Sequence, residues 1–237
     1  MISFPTSTYI AYLEGDDYWI DSLKLQKQFD FLESSKNYFG VSHNVRHFYE
    51  NWNSVYTVKN NTDFECKQGF NGTHNGDKLE GVITLKEILT GWPIASSSFV
   101  FRREVLDNYP AFFKKSILGD QFLFSLVNRY GDIHYLPEAM SVYRIHKEGI
   151  NGSIGKDIGF YKNRIDSMQA LYEFYAKTRK DVFKPIISMC HFQIAIYSNS
   201  RKERLLHLFK GILTDKKSLL TKTRMIFSIF VKTFTKK

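Results

Sequence analysis

The chain has 237 residues, 43% of them apolar and 16% aromatic, with a formal net charge of +9 at pH 7. That length can bury a full core without disulfide or metal staples, and the apolar content excludes a disordered chain. The charge is not spread over a nucleic-acid readout face: residues 201–237 hold eleven Lys/Arg against Glu203 and Asp215, the rest balances at 22 of each sign, and no RNP, zinc-finger or helix-turn-helix signature occurs.

In chain order, the first predicted element is a buried strand over Tyr9–Leu13, short, apolar and aromatic-rich. Three carboxylates follow it in a tight turn, Glu14, Asp16 and Asp17 around Gly15. Asp21 then caps a helix over residues 22–33, in which Leu25, Phe29 and Leu32 make one buried stripe. Residues 41–50 and 54–58 read as strands joined by the turn Asn51-Trp52-Asn53. The Asn- and Gly-rich stretch 59–81 reads as a long surface loop. Thr84 with Glu87 is a capping-box signature for a short helix ending at Gly91.

A strand is expected over 96–101 and a helical segment over 103–108. A helix fits 120–130, closed by Gly131 as a left-handed cap. Strands over 133–136 and 139–145 flank Pro137, and everything beyond Asp157 reads as helix: 157–178, 182–199, 204–213 and 219–234. Two regions are therefore expected, a mixed α/β part over 1–155 and a helical, basic part over 156–237. Cys66 and Cys190 show no ligand or redox spacing and read as reduced thiols of a cytoplasmic protein. No signal sequence opens the chain, and no window reaches the roughly 18 apolar residues of a membrane span.

The acidic turn asks for an explanation, because carboxylates this close repel one another unless a cation or backbone donors neutralise them. Hard cations such as Mg²⁺ or Mn²⁺ bridge one or two carboxylates to substrate phosphates. Glu14 and Asp16, two apart in extended backbone, point the same way. The rival reading is a solvated Asx turn.

The segment IAYLEGDDYWIDSLKLQKQFDFLE (residues 10–33) resembles that of family 2 glycosyltransferases, nucleotide-sugar enzymes of GT-A fold, in which a D-x-D-type motif ends a central strand. Three further blocks resemble the same family in the same order: Ser97–Glu104, Gly119–Phe124 and Tyr135–His146. The resemblance covers residues 9–150 and leaves the helical tail outside. It implies a partial GT-A, Rossmann-like mixed sheet flanked by helices and followed by a helical C-terminal region. It places Glu14 and Asp16 as ligands of Mg²⁺ or Mn²⁺, and Asp17 and His146 beside the donor diphosphate. It makes Asp120 the catalytic base, although an N-cap is the alternative for that residue. Trp19 would be core or a wall of the acceptor cleft, and Arg102 and Arg103 a solvated pair. Glutamate in place of the first aspartate of the motif departs from the family's pattern but keeps an oxygen ligand.

Members of that family place nucleotide-binding strands before the acidic motif, and only residues 1–8 stand there in this chain. The expected function is transfer of a sugar from a nucleotide diphosphate donor to a polysaccharide or lipid-linked acceptor, inverting and metal-dependent. The alternative is an N-terminally truncated, inactive remnant or membrane-associated accessory fragment. The run Met225–Phe234, followed by Lys236 and Lys237, suits a helix lying on an anionic membrane. That would attach a cytoplasmic protein peripherally to the inner membrane face. A helix packed on its own domain with a solvated basic face is equally open.

Overall fold

A computed structural model describes residues 7–49, 55–58, 62–65, 69–73, 80–107, 109–111, 119–146, 157–217 and 221–235. The chain is of the α/β class and divides into two compact units, Met1–Pro110 with Leu123–Ile154, and Ala111–Phe122 with Gly155–Lys237.

The first unit is built on a mixed sheet in which β1 (Tyr9–Ala11), β8 (Val100–Arg102), β3 (Tyr38–Tyr49), β9 (Asp132–Ile145) and β2 (Tyr18–Trp19) lie side by side in that order. Its axis is the long parallel pair of β3 and β9. Both strands carry continuous buried runs, Gly40–Val45 in β3 and Ile133–Tyr135 with Met140–Val142 in β9, as strands covered on two faces do. β8 runs antiparallel to β3, and β1 antiparallel to β8. β2 runs antiparallel to β9 on the other side. Further along, β6 (Gly69–Thr73) joins β3 and β7 (Gly81–Ile83) joins β9, while β4 (Val55–Val58) and β5 (Thr62–Glu65) form a separate hairpin.

Several expectations change here. The strand expected buried over Tyr9–Leu13 is a sheet edge among the described residues, where β8 alone pairs with β1, and Tyr12 and Leu13 are exposed. β4 pairs with β5 rather than with β3, and the turn at 51–53 lies outside the described residues. The stretch expected as a loop contains β5 and β6: partner strands supply the backbone hydrogen bonds that its composition does not advertise. Of the strand expected over 96–101, Ser96–Ser98 forms a 3₁₀ turn and the chain is extended from Phe99 on, into β8. The two strands expected around Pro137 are one, β9, with a register shift where His43 and Asn44 face Leu136 and Ala139. Proline gives the ladder no donor, and a bulge is where a sheet tolerates it.

α1 (Lys24–Ser34) buries Lys24, Gln28 and Leu32, whereas Leu25 and Phe29 are 43% and 45% exposed. The stripe is thus turned by about one position, towards polar residues. Leu32 joins Val41 and Val100 in a core cluster bordered by Tyr9, Phe31, Tyr38 and Leu136. α2 (Leu85–Gly91) has the expected capping box, with Glu87 N–H donating to Thr84 Oγ1 and Thr84 N–H donating to Glu87 Oε2. α3 (Gly119–Tyr130) starts in the segment assigned to the second unit and continues in the first. Gly131 is not left-handed, as only Gly81 among the described glycines has positive φ. Glycine is required there by proximity: an added Cβ would meet Phe39 Cδ2 at 2.3 Å and the Asn37 carbonyl at 2.6 Å.

The second unit carries α4 (Ile158–Phe174), α5 (Lys180–Tyr197), α6 (Arg201–Thr214) and α7 (Thr223–Thr235). Asp157 and Ser200 cap α4 and α6 through their side chains. α5 is apolar around most of its circumference and is the helix on which the others pack; Leu208 of α6 and Ile229 of α7 meet on its Phe192 and Ala195.

Candidate functional site

The acidic turn is closed by Asp17 N–H donating to the Glu14 carbonyl at 3.2 Å. Gly15 stands with nothing within 4 Å of an added Cβ, so the turn projects from the sheet. β2 follows at once and pairs with β9 through Tyr18 opposite Val142. This pairing brings the end of β9 alongside residues some 130 positions earlier in sequence.

Three contacts bind that end to the turn. His146 Nε2 lies 3.0 Å from Asp16 Oδ2. The Arg144 N–H donates to Asp17 Oδ1 at 3.0 Å, and its guanidinium reaches the Asp16 carbonyl at 3.4 Å. Asp17 is buried, and its other oxygen, Oδ2, near Ser97, has no well-formed hydrogen bond, the Ser97 hydroxyl being paired with Ser141 at 3.1 Å. Burial pushes the Asp17 carboxyl up to about 6, and the charges of Asp16 and Glu14 push the same way. A buried carboxylate next to two more carboxylates is an environment that a cation relieves.

Beneath the turn, Trp19 donates its indole N–H to the Ser97 carbonyl at 3.0 Å, and Lys24 Nζ sits 4.3 Å from the centre of the indole ring. Lys24 is fully buried and donates to Gln28 Oε1 at 2.8 Å; burial lowers its ammonium to about 8. Gln28 donates in turn to the Val41 and Ser98 carbonyls. Trp19, two residues past the turn, is therefore held on a polar layer fixed by backbone carbonyls of β3 and of the serine turn.

The structure brings Asp16, Asp17 and His146 together, with Glu14 exposed at the start of the same turn. Asp120 belongs to the second unit, at the start of α3, where its Oδ1 accepts the Gln121 N–H at 2.7 Å. Burial raises the Asp120 carboxyl above the usual range. Arg102 is not solvated: it is 8% exposed and donates to the carbonyls of Tyr38 and Leu32 and to the Tyr9 hydroxyl. Arg103 is the more exposed of the two and pairs with Asp107 at 2.8 Å.

The turn's residues suit a hard divalent cation in donor type, carboxylate oxygens with an imidazole beside them. Among the described residues, no three His, Cys, Asp or Glu side chains are grouped closely enough to hold an ion in this arrangement. Sequence reasoning passed over Arg144, whose signal is its position two residues before His146 at a strand end, and Lys24, whose signal is its i, i+4 spacing to Gln28.

No family model matches the chain. An uncharacterized protein of Mycobacterium bovis is 30% identical to it over 175 residues, which are 73% of this chain and 45% of that protein. Two uncharacterized proteins from strains of Mycobacterium tuberculosis match with the same identity and coverage. The chain spans about half the length of the curated relatives it matches.

Proposed function

We propose that the chain belongs to the nucleotide-sugar glycosyltransferases of GT-A type and that the acidic turn is its diphosphate and metal site. The observation that carries the reading is the joining of Asp16 to His146 at 3.0 Å. The turn and the Tyr135–His146 block are two of the four blocks on which the resemblance rests, and they meet in space. In this reading Glu14 and Asp16 hold Mg²⁺ or Mn²⁺, which when bound neutralises the donor diphosphate. Asp17 and Arg144 hold the turn in place, and His146 orients Asp16.

The chemistry is displacement at the anomeric carbon. The acceptor hydroxyl oxygen bonds to that carbon from the face opposite the nucleotide, the carbon–oxygen bond to the diphosphate breaks, and its electron pair leaves on the diphosphate. On the family resemblance the base for the hydroxyl proton is Asp120, whose carboxyl burial raises above the usual range. The acceptor is a polysaccharide or a lipid-linked glycan.

Titration of the purified chain with a fluorescent nucleotide diphosphate, with and without Mn²⁺, tests the site. Metal-dependent binding that Asp16→Ala abolishes and His146→Ala weakens by about 10- to 100-fold is expected. A folded wild-type chain that binds no nucleotide under either condition would sink the proposal. It would favour the second reading, a non-catalytic accessory protein.

A further inference from the structure

The second unit exposes more apolar surface than its own packing explains. On α6, Leu206, Phe209 and Leu213 are 49%, 60% and 70% exposed. They fall at i, i+3 and i+7, one face of the helix. On α7, Phe227, Phe230 and Val231 are exposed at i, i+3 and i+4, again one face.

Both stripes look away from the same support. α6 seats its opposite side on α5, where Leu208 joins Phe192, Ser188 Oγ donates to the Gly211 carbonyl at 2.8 Å, and an added Cβ on Gly211 would meet the Phe192 ring at 2.8 Å. α7 seats Ile229 on the same Phe192 and Ala195, and Lys232 Nζ donates to the Ile196 carbonyl at 2.7 Å. Arg204 of α6 ties the pair by donating to the Lys232 carbonyl at 2.8 Å. Two helices laid side by side on one helix therefore present two apolar stripes on the side facing away from it.

The charge around them selects the occupant. Lys202 and Lys210 share the exposed side of α6, and Lys216, Lys217 and Arg224 are exposed between and beside the two stripes. Of the two acids in residues 201–237, Glu203 is taken up by Lys162 at 2.8 Å and by Ser198. The whole net charge of the chain resides in this segment, eleven basic against two acidic residues. No helix among the described residues is long and apolar enough to cross a membrane. Aromatic and leucine side chains bordered by lysine and arginine are the composition of a surface that lies in an anionic lipid interface. A second copy of the same strongly cationic face would be repelled.

We infer that the outward face of the α6–α7 pair, with Phe209 and Leu213 of α6 as much as Phe227 and Phe230 of α7, is a docking surface for an anionic lipid bilayer. The membrane contact thus extends one helix beyond the tail segment that the sequence marks, and it is independent of whether the acidic turn binds a nucleotide.

Flotation of the full chain with vesicles of mixed phosphatidylglycerol and phosphatidylcholine, against pure phosphatidylcholine, is the test. The wild type floats with anionic vesicles only, and less so as salt is raised. Phe209→Ser/Leu213→Ser on α6 and Phe227→Ser/Phe230→Ser on α7 each reduce the bound fraction by about tenfold or more, since each pair removes two buried anchors. Unchanged melting temperatures keep the loss from being one of folding; these side chains are exposed, so little change is expected. Wild-type protein that stays with the soluble fraction would overturn the inference. So would an α6 variant that floats as the wild type does, or sedimentation showing that the same substitutions break a dimer instead.

Discussion

At Gly131 the requirement is set by space rather than by backbone angle. Alanine there would drive a methyl into the Phe39 ring and the Asn37 carbonyl, and one of these is main chain that cannot swing aside. Gly131→Ala is expected to cost about 1–3 kcal/mol, read as a drop of several degrees in melting temperature; an unchanged melting temperature would show that the α3–β9 junction yields. A second residue-scale feature lies in the other unit, where the Nδ1 atoms of His191 and His207 stand 3.0 Å apart, both rings buried. One proton fits between them and two do not. Burial lowers His191 to about 4, with His207 and Lys210 pushing the same way. His207 is lowered by burial, Lys210 and Lys162, against Glu203. The unfolded chain takes up these protons near pH 6.5 and the folded chain only below it, so stability falls as pH drops from about 6.5 towards 4. The paired variant His191→Gln/His207→Gln should flatten that fall by on the order of 1–3 kcal/mol in melts run from pH 7 to pH 4. An identical slope in the variant would assign the acid sensitivity to carboxylates.

At the scale of elements, α1 shows where sequence periodicity stops being informative. Leu25, Phe29 and Leu32 make the obvious apolar stripe, yet the helix turns Lys24, Gln28 and Leu32 inward. Tertiary hydrogen bonds decide the matter: Gln28 satisfies two carbonyls, one on β3 and one on the serine turn, and Lys24 satisfies Gln28 while covering Trp19. Gln28→Leu would remove the donor from both carbonyls and leave the Lys24 ammonium buried without an acceptor. Roughly 2–4 kcal/mol of destabilisation follows, against less than about 0.5 kcal/mol for Leu25→Ser. Chemical denaturation of the two variants checks the order, and the reverse order would restore the apolar stripe as the buried face. Capping of α2 was legible because a capping box is closed within four residues. The pairing of β4 with β5 was not, nor were β5 and β6 as strands, because their polar, Asn- and Gly-rich sequence shows no apolar alternation and the strand that fixes β6, β3, lies twenty or more residues away. The acidic turn was legible as an anomaly of charge. Its tie to Arg144 and His146 needed the register of β2 on β9.

On the scale of the whole molecule, the two ends of the chain present different surfaces to their surroundings. The basic second unit was visible in composition, because charge can be counted along a chain without knowing its fold. The first unit's edge was not visible in composition: among the described residues β1 is outermost because it pairs antiparallel with β8 alone. At that edge Phe29 packs edge-to-face on Tyr9 with ring centres 5.5 Å apart, so the exposed apolar side of α1 runs onto the strand. Beyond it Tyr12 and Leu13 are exposed as well. An edge with apolar neighbours and no charge along Tyr9–Ala11 is a template for pairing with another chain, which proteins ordinarily block with lysine, proline or a covering element. The chain is therefore expected to self-associate in sedimentation velocity as its concentration rises through roughly the micromolar range. Ala11→Lys with Leu13→Lys should suppress that association while leaving the melting temperature nearly unchanged, since both side chains are exposed. Dispersal by high salt alone would place the contact in the basic unit instead, because pairing along a strand edge is made of backbone hydrogen bonds and apolar area that salt does not screen.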